Sequence, residues 1–203
     1  IPLNNNKEIS FDPLEILTRN SKKKISIKKI KGLPKLLRRQ IRIDIKNISS
    51  KKKNFANFNF QKLPNLMGVL NLTPDSFSDG GKYNSKKKGI NHALEMLKMG
   101  AVIIDIGGES TRPGSKPVSK NLEWDRLKKI IKSLNNKIPI SLDTRKSEIM
   151  EKGIKCGVNL INDISGLSYD DKTVEILKKY KIPFVIQHSK GTPENMQDKP
   201  SYK

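Results

Sequence analysis

Ala101-Val102-Ile103-Ile104-Asp105-Ile106-Gly107-Gly108-Glu109-Ser110-Thr111-Arg112-Pro113-Gly114 is the stretch on which the fold class turns. Its first six residues form a β-branched run of strand length, and a glycine pair then opens a polar loop that contains proline. Outward from it, the same pattern recurs. On the N-terminal side, Leu66–Leu70 is a short apolar run that passes through Asn71 into Leu72-Thr73-Pro74, strand then loop. Between the two runs, Ser85–Met99 places Ile90, Ala93, Leu94 and Leu97 at helical spacing. On the C-terminal side, Ser119 can cap a helix through Leu134, with Glu123 early and lysines late, as the helix dipole prefers. Ile138–Leu142 reads as a strand, Arg145–Cys156 as a helix, Val158–Ile161 as a strand, Asp171–Tyr180 as a helix and Pro183–Gln187 as a strand.

The order β-α-β-α-β-α-β-α-β with short connections implies parallel strands joined by crossover helices. Continuous apolar runs suit strands buried on both faces. Five such strands fit either an open doubly wound sheet or the first five units of an eight-fold barrel, and periodicity does not separate the two. In both, ligands bind outside the carboxyl ends of the strands.

The chain has 203 residues, enough for one domain or one domain with an appendage. One cysteine excludes an internal disulfide and a cysteine-based zinc site. No apolar run approaches the roughly 18 residues of a membrane span, and no secretory signal or transit peptide is visible. A cytoplasmic protein without a membrane partner is expected. Residue 1 is Ile, and the last residues stop in a loop-like stretch, so the sequence reads as a piece of a longer chain.

The formal net charge of +21 invites a nucleic-acid reading. Two features temper it. The cations are 34 Lys and only 7 Arg, whereas specific phosphate and base recognition favours the planar fork of Arg. Lys, Ile and Asn, all with AT-rich codons, make up 77 residues, so codon composition accounts for much of the lysine. Aromatics are only 5% of residues, which argues against base stacking. No nucleic-acid partner is expected for the chain as a whole. Residues 1–60 hold +12 of the charge. Residues 1–62 are therefore set apart as a basic extension and linker with some β structure, Ile41-Arg42-Ile43-Asp44-Ile45 carrying a period-two strand signal. Residues 63–203 form the second unit.

Every strand of that second unit ends in polar residues. Asn71 leads into Thr73-Pro74-Asp75-Ser76-Phe77-Ser78-Asp79-Gly80-Gly81, and Asp105 leads into the loop quoted above. Asp143-Thr144, Asn162-Asp163 and Gln187-His188 end the other three. Taken singly, Asn71 could cap a turn, Asp143 a helix at Arg145, and Asn162 could begin an Asx turn. Taken together they suit a ligand. Asn71, Asp75, Asp79 and Asp105 offer hard oxygens for Mg²⁺ with phosphate. Thr111, Arg112 and Lys146 can donate to phosphate oxygens. Asp143 and Asn162 can read the donor edge of a flat nitrogen heterocycle. No P-loop and no Gly-x-Gly-x-x-Gly is present, and two histidines with one cysteine argue against a transition-metal site.

Met67-Gly68-Val69-Leu70-Asn71-Leu72-Thr73-Pro74-Asp75-Ser76-Phe77-Ser78-Asp79-Gly80-Gly81 and Asp105–Gly114 resemble the first two signatures of the dihydropteroate synthase family. Ile140–Lys146 and Asn159–Ile164 resemble its next two blocks, and the likeness covers residues 64–197. The resemblance implies a (β/α)₈ TIM barrel, here truncated after about strand five and preceded by the basic N-terminal extension. It implies a transferase of folate biosynthesis, in which 4-aminobenzoate displaces pyrophosphate from 6-hydroxymethyl-7,8-dihydropterin diphosphate. Asn71 would be the protein ligand to Mg²⁺. Asp143 and Asn162 would bond the pterin ring, Asp143 also stabilising positive charge there. Thr111 and Arg112 would meet the diphosphate. Phe77 and Pro113 would enclose aminobenzoate, with Asp79 an electrostatic partner in the closed loops. Gln187 would lie against the pterin, where the family has an apolar residue. The family's further Asp, Lys and Arg/His pair belong to strands six to eight, so this stretch alone is expected to be inactive, and a homodimer is expected at full length. The rival readings are a non-catalytic partner barrel and a methyltetrahydrofolate-type methyltransferase. The Asn71–Gly81 and Gly107–Gly114 blocks argue against the methyltransferase.

Overall fold

The computed structural model describes residues 1–6, 8–59, 64–73, 85–112, 114–187 and 191. Asp75, Phe77, Asp79 and Pro113 lie outside the described residues. Two compact units are present, one built on residues 1–55 and the other from residue 65 onward.

The first unit holds an antiparallel hairpin of β1 (Leu14–Leu17) and β2 (Lys22–Ile25), with Leu14 opposite Ile25. Thr18 and Ser21 close its turn through hydroxyl and backbone hydrogen bonds of 2.8–3.2 Å. A 3₁₀ turn, Ile27–Gly32, leads to α1 (Lys35–Ser49). The strand expected at Ile41–Ile45 is part of this helix. Ile41 and Ile45 satisfy both a period of two and the i, i+4 repeat, so the five-residue pattern was ambiguous. Leu37, Ile41 and Ile45 pack together with Ile25 and Ile30, whereas Ile43 falls on the other side and is 45% exposed. Pro34, with φ of −53°, stands at the N-cap, where its missing N–H costs nothing.

The second unit is a parallel sheet of β3 (Leu66–Asn71), β4 (Ala101–Gly107), β5 (Ile140–Asp143), β6 (Leu160–Asp163) and β7 (Phe184–Ile186). Between them run α2 (Ser85–Lys98), α3 (Lys120–Leu134), α4 (Ser147–Lys155) and α5 (Thr173–Tyr180). The spatial order β3-β4-β5-β6-β7 is the chain order. A doubly wound sheet reverses direction at a switch point; no reversal occurs here, which is the order of a (β/α) barrel. The core is a cluster of aliphatic side chains on strands and helices, Ile104, Ile106, Leu127, Ile131, Leu142 and Ile149 among them. β4 is buried along nearly its whole length, as a central parallel strand should be. The outer strands differ: Val69, Phe184 and Ile186 are 44–55% exposed, on edges that a closed barrel pairs.

The Ser119 cap is present, its hydroxyl accepting from the Leu122 N–H at 3.2 Å. Two local expectations change. α4 begins at Ser147 rather than Arg145, and Asp170, not Asp143, caps it by accepting the Ser147 N–H (3.0 Å) and hydroxyl (2.8 Å). The Asx turn belongs to Asp163, not Asn162: its Oδ1 accepts the Ser165 N–H at 2.7 Å.

Gly157 ends the α4 turn with φ of +92°, and a Cβ there would collide with the Asn135 side-chain amide. Gly157→Ala should therefore destabilise the protein by about 1–3 kcal/mol. A thermal melt read by circular dichroism checks this, and a melting temperature equal to wild type would contradict it.

Candidate active site

Parallel register sets the site. Asn71 is opposite Gly107, Gly107 opposite Asp143, and Asp143 opposite Asn162, so four strands end on one row. Residues in register on neighbouring strands share a face, and residues two apart along a strand share it too. Asp105 and Ser141, one pleat below Gly107 and Asp143, thus lie beneath this row. A Cβ on Gly107 would sit 3.4 Å from both Asn71 Oδ1 and Asp143 Oδ2. The bare glycine leaves that space open between two oxygen donors.

The row is held from below. Asp105 is 5% exposed and accepts from Ser141 Oγ at 2.5 Å and from Asn162 Nδ2 at 2.9 Å. The second bond turns the Asn162 amide so that Oδ1 is directed away from Asp105. Asp105 is thereby a positioning group with both oxygens engaged, rather than the metal ligand expected from sequence. Burial pushes its pKa up, against the two hydrogen bonds. Asp143 is pushed to about 7, first by burial and then by the surrounding carboxylates, Asp105 foremost. A carboxyl group poised at this value favours a cationic or donor-rich ligand.

Behind the row is a buried ion cluster that sequence reading missed. Lys146 Nζ donates to Glu109 Oε2 and Glu123 Oε2, each at 2.5 Å, and to the Val118 carbonyl at 2.8 Å. Arg145 Nε donates to Glu109 Oε1 at 2.8 Å, and its guanidinium lies 4.1 Å from the Tyr169 ring centroid. Thr144 Oγ1 donates to Glu123 Oε1 at 2.6 Å. Lys146 is therefore not a phosphate donor: its three N–H groups are all engaged, and it is 3% exposed. Burial raises the Glu109 pKa, but the Lys146 bond, the Val118 N–H and the charges of Lys146 and Arg145 outweigh it, leaving Glu109 lowered. The signal in the sequence was Glu109 itself, a carboxylate directly after a glycine pair with no capping role.

The remaining expected residues stand as follows. Thr111 is half-buried and Arg112 exposed in the loop after β4, where Ser115 Oγ donates to the Ser110 carbonyl at 2.7 Å. Gln187 follows β7, exposed, its N–H donating to the Asp163 carbonyl at 3.2 Å. Phe77, Asp79 and Pro113 fall outside the described residues. Among the described residues no group of three or more His, Cys, Asp or Glu could hold a metal ion, and no helix is long and apolar enough to cross a membrane.

The raised Asp143 pKa makes a pH prediction. An unfolded Asp ionises near pH 4, whereas the folded group keeps its proton to about pH 7. The folded state therefore binds the extra proton, and stability falls as pH rises from about 4 to 7. Asp143→Asn should remove this contribution, so the variant's melting temperature gains on wild type between pH 4.5 and 7.5. A pH-independent difference would contradict the assignment.

Comparison with known proteins converges on one family. The description "Pterin binding enzyme" matches residues 67–203. The dihydropteroate synthase of Synechocystis is 42% identical over 71% of this chain and 51% of its own length. A crystal structure of the Clostridium difficile synthase with pteroic acid shares 44% identity and a TM-score of 0.63, over 66% of this chain and 51% of that one. The Xanthomonas albilineans synthase with 4-aminobenzoic acid shares 36% identity and a TM-score of 0.62, over 68% and 49%. The chain spans about half the length of the curated relatives it matches. The sequential parallel sheet, its row of polar strand ends and the match to residues 67–203 have a single consequence: the chain belongs to the pterin-binding enzyme family, on a (β/α) barrel.

Proposed function

We propose that the chain carries the N-terminal half of a dihydropteroate synthase site, which joins 6-hydroxymethyl-7,8-dihydropterin diphosphate to 4-aminobenzoate and releases pyrophosphate. The observation that carries this reading is the row Asn71, Gly107, Asp143, Asn162 with Asp105 beneath it. A pterin ring presents N–H donors along one edge. Asn162 Oδ1, aimed by Asp105, and Asp143 are acceptors for that edge. Asp143 gives its proton to solvent as the donor-rich pterin edge binds. When the C–O bond to diphosphate then breaks, positive charge develops on the pterin methylene and the adjacent carboxylate stabilises it. The aminobenzoate nitrogen bonds to the methylene carbon, and its surplus proton leaves on the departing pyrophosphate.

Arg112 and Thr111, on the loop after β4, donate to the departing diphosphate. By the resemblance, Phe77 and Pro113 would cover the aminobenzoate, Asp79 would be an electrostatic partner beside them, and Gln187 would border the pterin. A site covered in this way would keep water from intercepting the electrophile. Asn71 is the protein group suited to Mg²⁺. One amide oxygen beside an open glycine fits an ion that keeps several waters and takes its other ligands from phosphate. Bound there, Mg²⁺ supplies charge neutralisation for the leaving group.

Titration of the protein with pteroic acid, followed by calorimetry, tests the binding half of this reading. Saturable binding is expected, weakened at least tenfold by Asp143→Asn and by Asn162→Ala. Asn162→Ala removes a half-buried acceptor, and Asp143→Asn turns a carboxylate oxygen into an NH2 that opposes the N–H edge of the pterin, each a change of roughly 1–3 kcal/mol. For turnover, residues 64–203 are exchanged into the aligned half of the Bacillus subtilis synthase, a 46% identical relative. The chimera should release pyrophosphate only with 4-aminobenzoate present, and Arg112→Ala in it should lower kcat by about 10²-fold or more. A folded wild-type chain that binds no pteroic acid, or a folded chimera that releases no pyrophosphate, would refute the proposal.

A further inference from the structure

We propose that the exposed face of α1 docks on the phosphodiester backbone of a nucleic acid, through charge and without base readout. AT-rich codons explain an excess of lysine but not of arginine. Three of the seven arginines in the chain, Arg38, Arg39 and Arg42, lie within one and a half turns of this helix. Lys35, Arg39, Arg42 and Lys46 recur at i, i+4, i+7 and i+11, which is one row on a helix. All four are exposed. The opposite side of α1, Leu37, Ile41 and Ile45, is packed on Ile25 and Ile30, so the row points away from that core.

At 1.5 Å per residue the row is about 16 Å long. Four cations over that length can each meet a phosphate of a flexible strand that follows the row. Arg38 flanks the row, its guanidinium donating to the Lys31 carbonyl at 3.2 Å. Lys35, Arg38, Arg39, Arg42, Ile43 and Lys46 line an open depression of about 550 Å³, with no carboxylate among them. Asp44 is the only acid of α1, and it is engaged by Gln40 Nε2 at 2.8 Å. The charge on this surface is thus of one sign and matched to a polyanion.

A membrane surface fits less well. A helix that lies in a bilayer interface needs a continuous apolar face, and that face of α1 is already in the core of its own unit. Leu36, Ile43 and Ile48 are the apolar residues of α1 that remain exposed, and they form no continuous stripe. The scarcity of aromatics, 5% of the chain, leaves backbone charge as the mode of contact. For residues 35–46 this replaces the expectation of no nucleic-acid partner.

The test uses the 203-residue chain and a fluorescein-labelled 20-nucleotide oligouridylate, read by anisotropy. Vesicles of phosphatidylcholine with phosphatidylserine, and polyglutamate, serve as competing polyanions. Wild type should bind the RNA, and its affinity should fall at least about 50-fold between 50 and 200 mM salt, as four phosphate contacts on a single strand require. K35Q/R39Q/R42Q/K46Q should raise Kd at least tenfold and flatten the salt slope by about 3. The milder R39Q/R42Q should flatten it by about half as much. A control that removes equal charge from exposed positions elsewhere, K128Q/K129Q/K132Q/K137Q, should change Kd less than threefold. Equal losses in control and test variants would overturn the proposal, as would no RNA binding, or tighter binding to vesicles or polyglutamate.

Discussion

The Lys146 ammonium ties three separate segments of the barrel unit together. With its side chain 4% exposed, it is bonded to Glu109 in the loop after β4, to Glu123 in the first turn of α3, and to the Val118 carbonyl between them. A buried ammonium is tolerated only when it is fully paired. Removing one partner from such a cluster typically costs about 3–5 kcal/mol, because the remaining charge stays buried. The loop after β4, the start of α3 and the segment after β5 are therefore locked into one arrangement. Glu109 also accepts the Val118 N–H at 2.8 Å, which joins the two ends of the loop that carries Thr111 and Arg112.

The inner row has the opposite electrostatics. Two Glu, one Lys and one Arg balance in the cluster behind it, whereas Asp105 is held by hydrogen bonds from Ser141 and Asn162, and it and Asp143 feel one another's charge with no cation paired to either among the described residues. Their pKa values rise while that of Glu109 falls. The same residue type thus does two jobs within one sheet. A carboxylate paired with Lys and Arg is structural, and a carboxyl group held without a cation is available to a ligand.

Much of the site was legible because strand-end chemistry is local. Asn71, Asp143 and Asn162 each follow an apolar run, and register then places them side by side. The assignments that changed involved partners distant in sequence. Lys146 is exposed-looking beside Arg145 in sequence, but its acceptors lie 23 and 37 residues away. Asp105 offered two oxygens for a metal until Ser141 and Asn162, 36 and 57 residues on, occupied them. Ile41–Ile45 read as a strand because five residues cannot distinguish a period of two from i, i+4 spacing when the packing partners, Ile25 and Ile30, are unseen.

The sequence alone determined the alternation of strands and helices, the polar strand ends, the family resemblance and the uneven charge. These follow from composition and spacing within a few residues, and from motifs read as strings. Between an open sheet and a barrel, the resemblance already implied the barrel, and the unreversed strand order of the tertiary structure bears it out where periodicity did not separate the two. Only the tertiary structure separated cations held in the buried cluster, Arg145 and Lys146, from cations free to meet a polyanion, Lys35, Arg39, Arg42 and Lys46. The reason is physical: the role of a charge depends on burial and on its partners, and both are set by residues that the chain brings together only on folding.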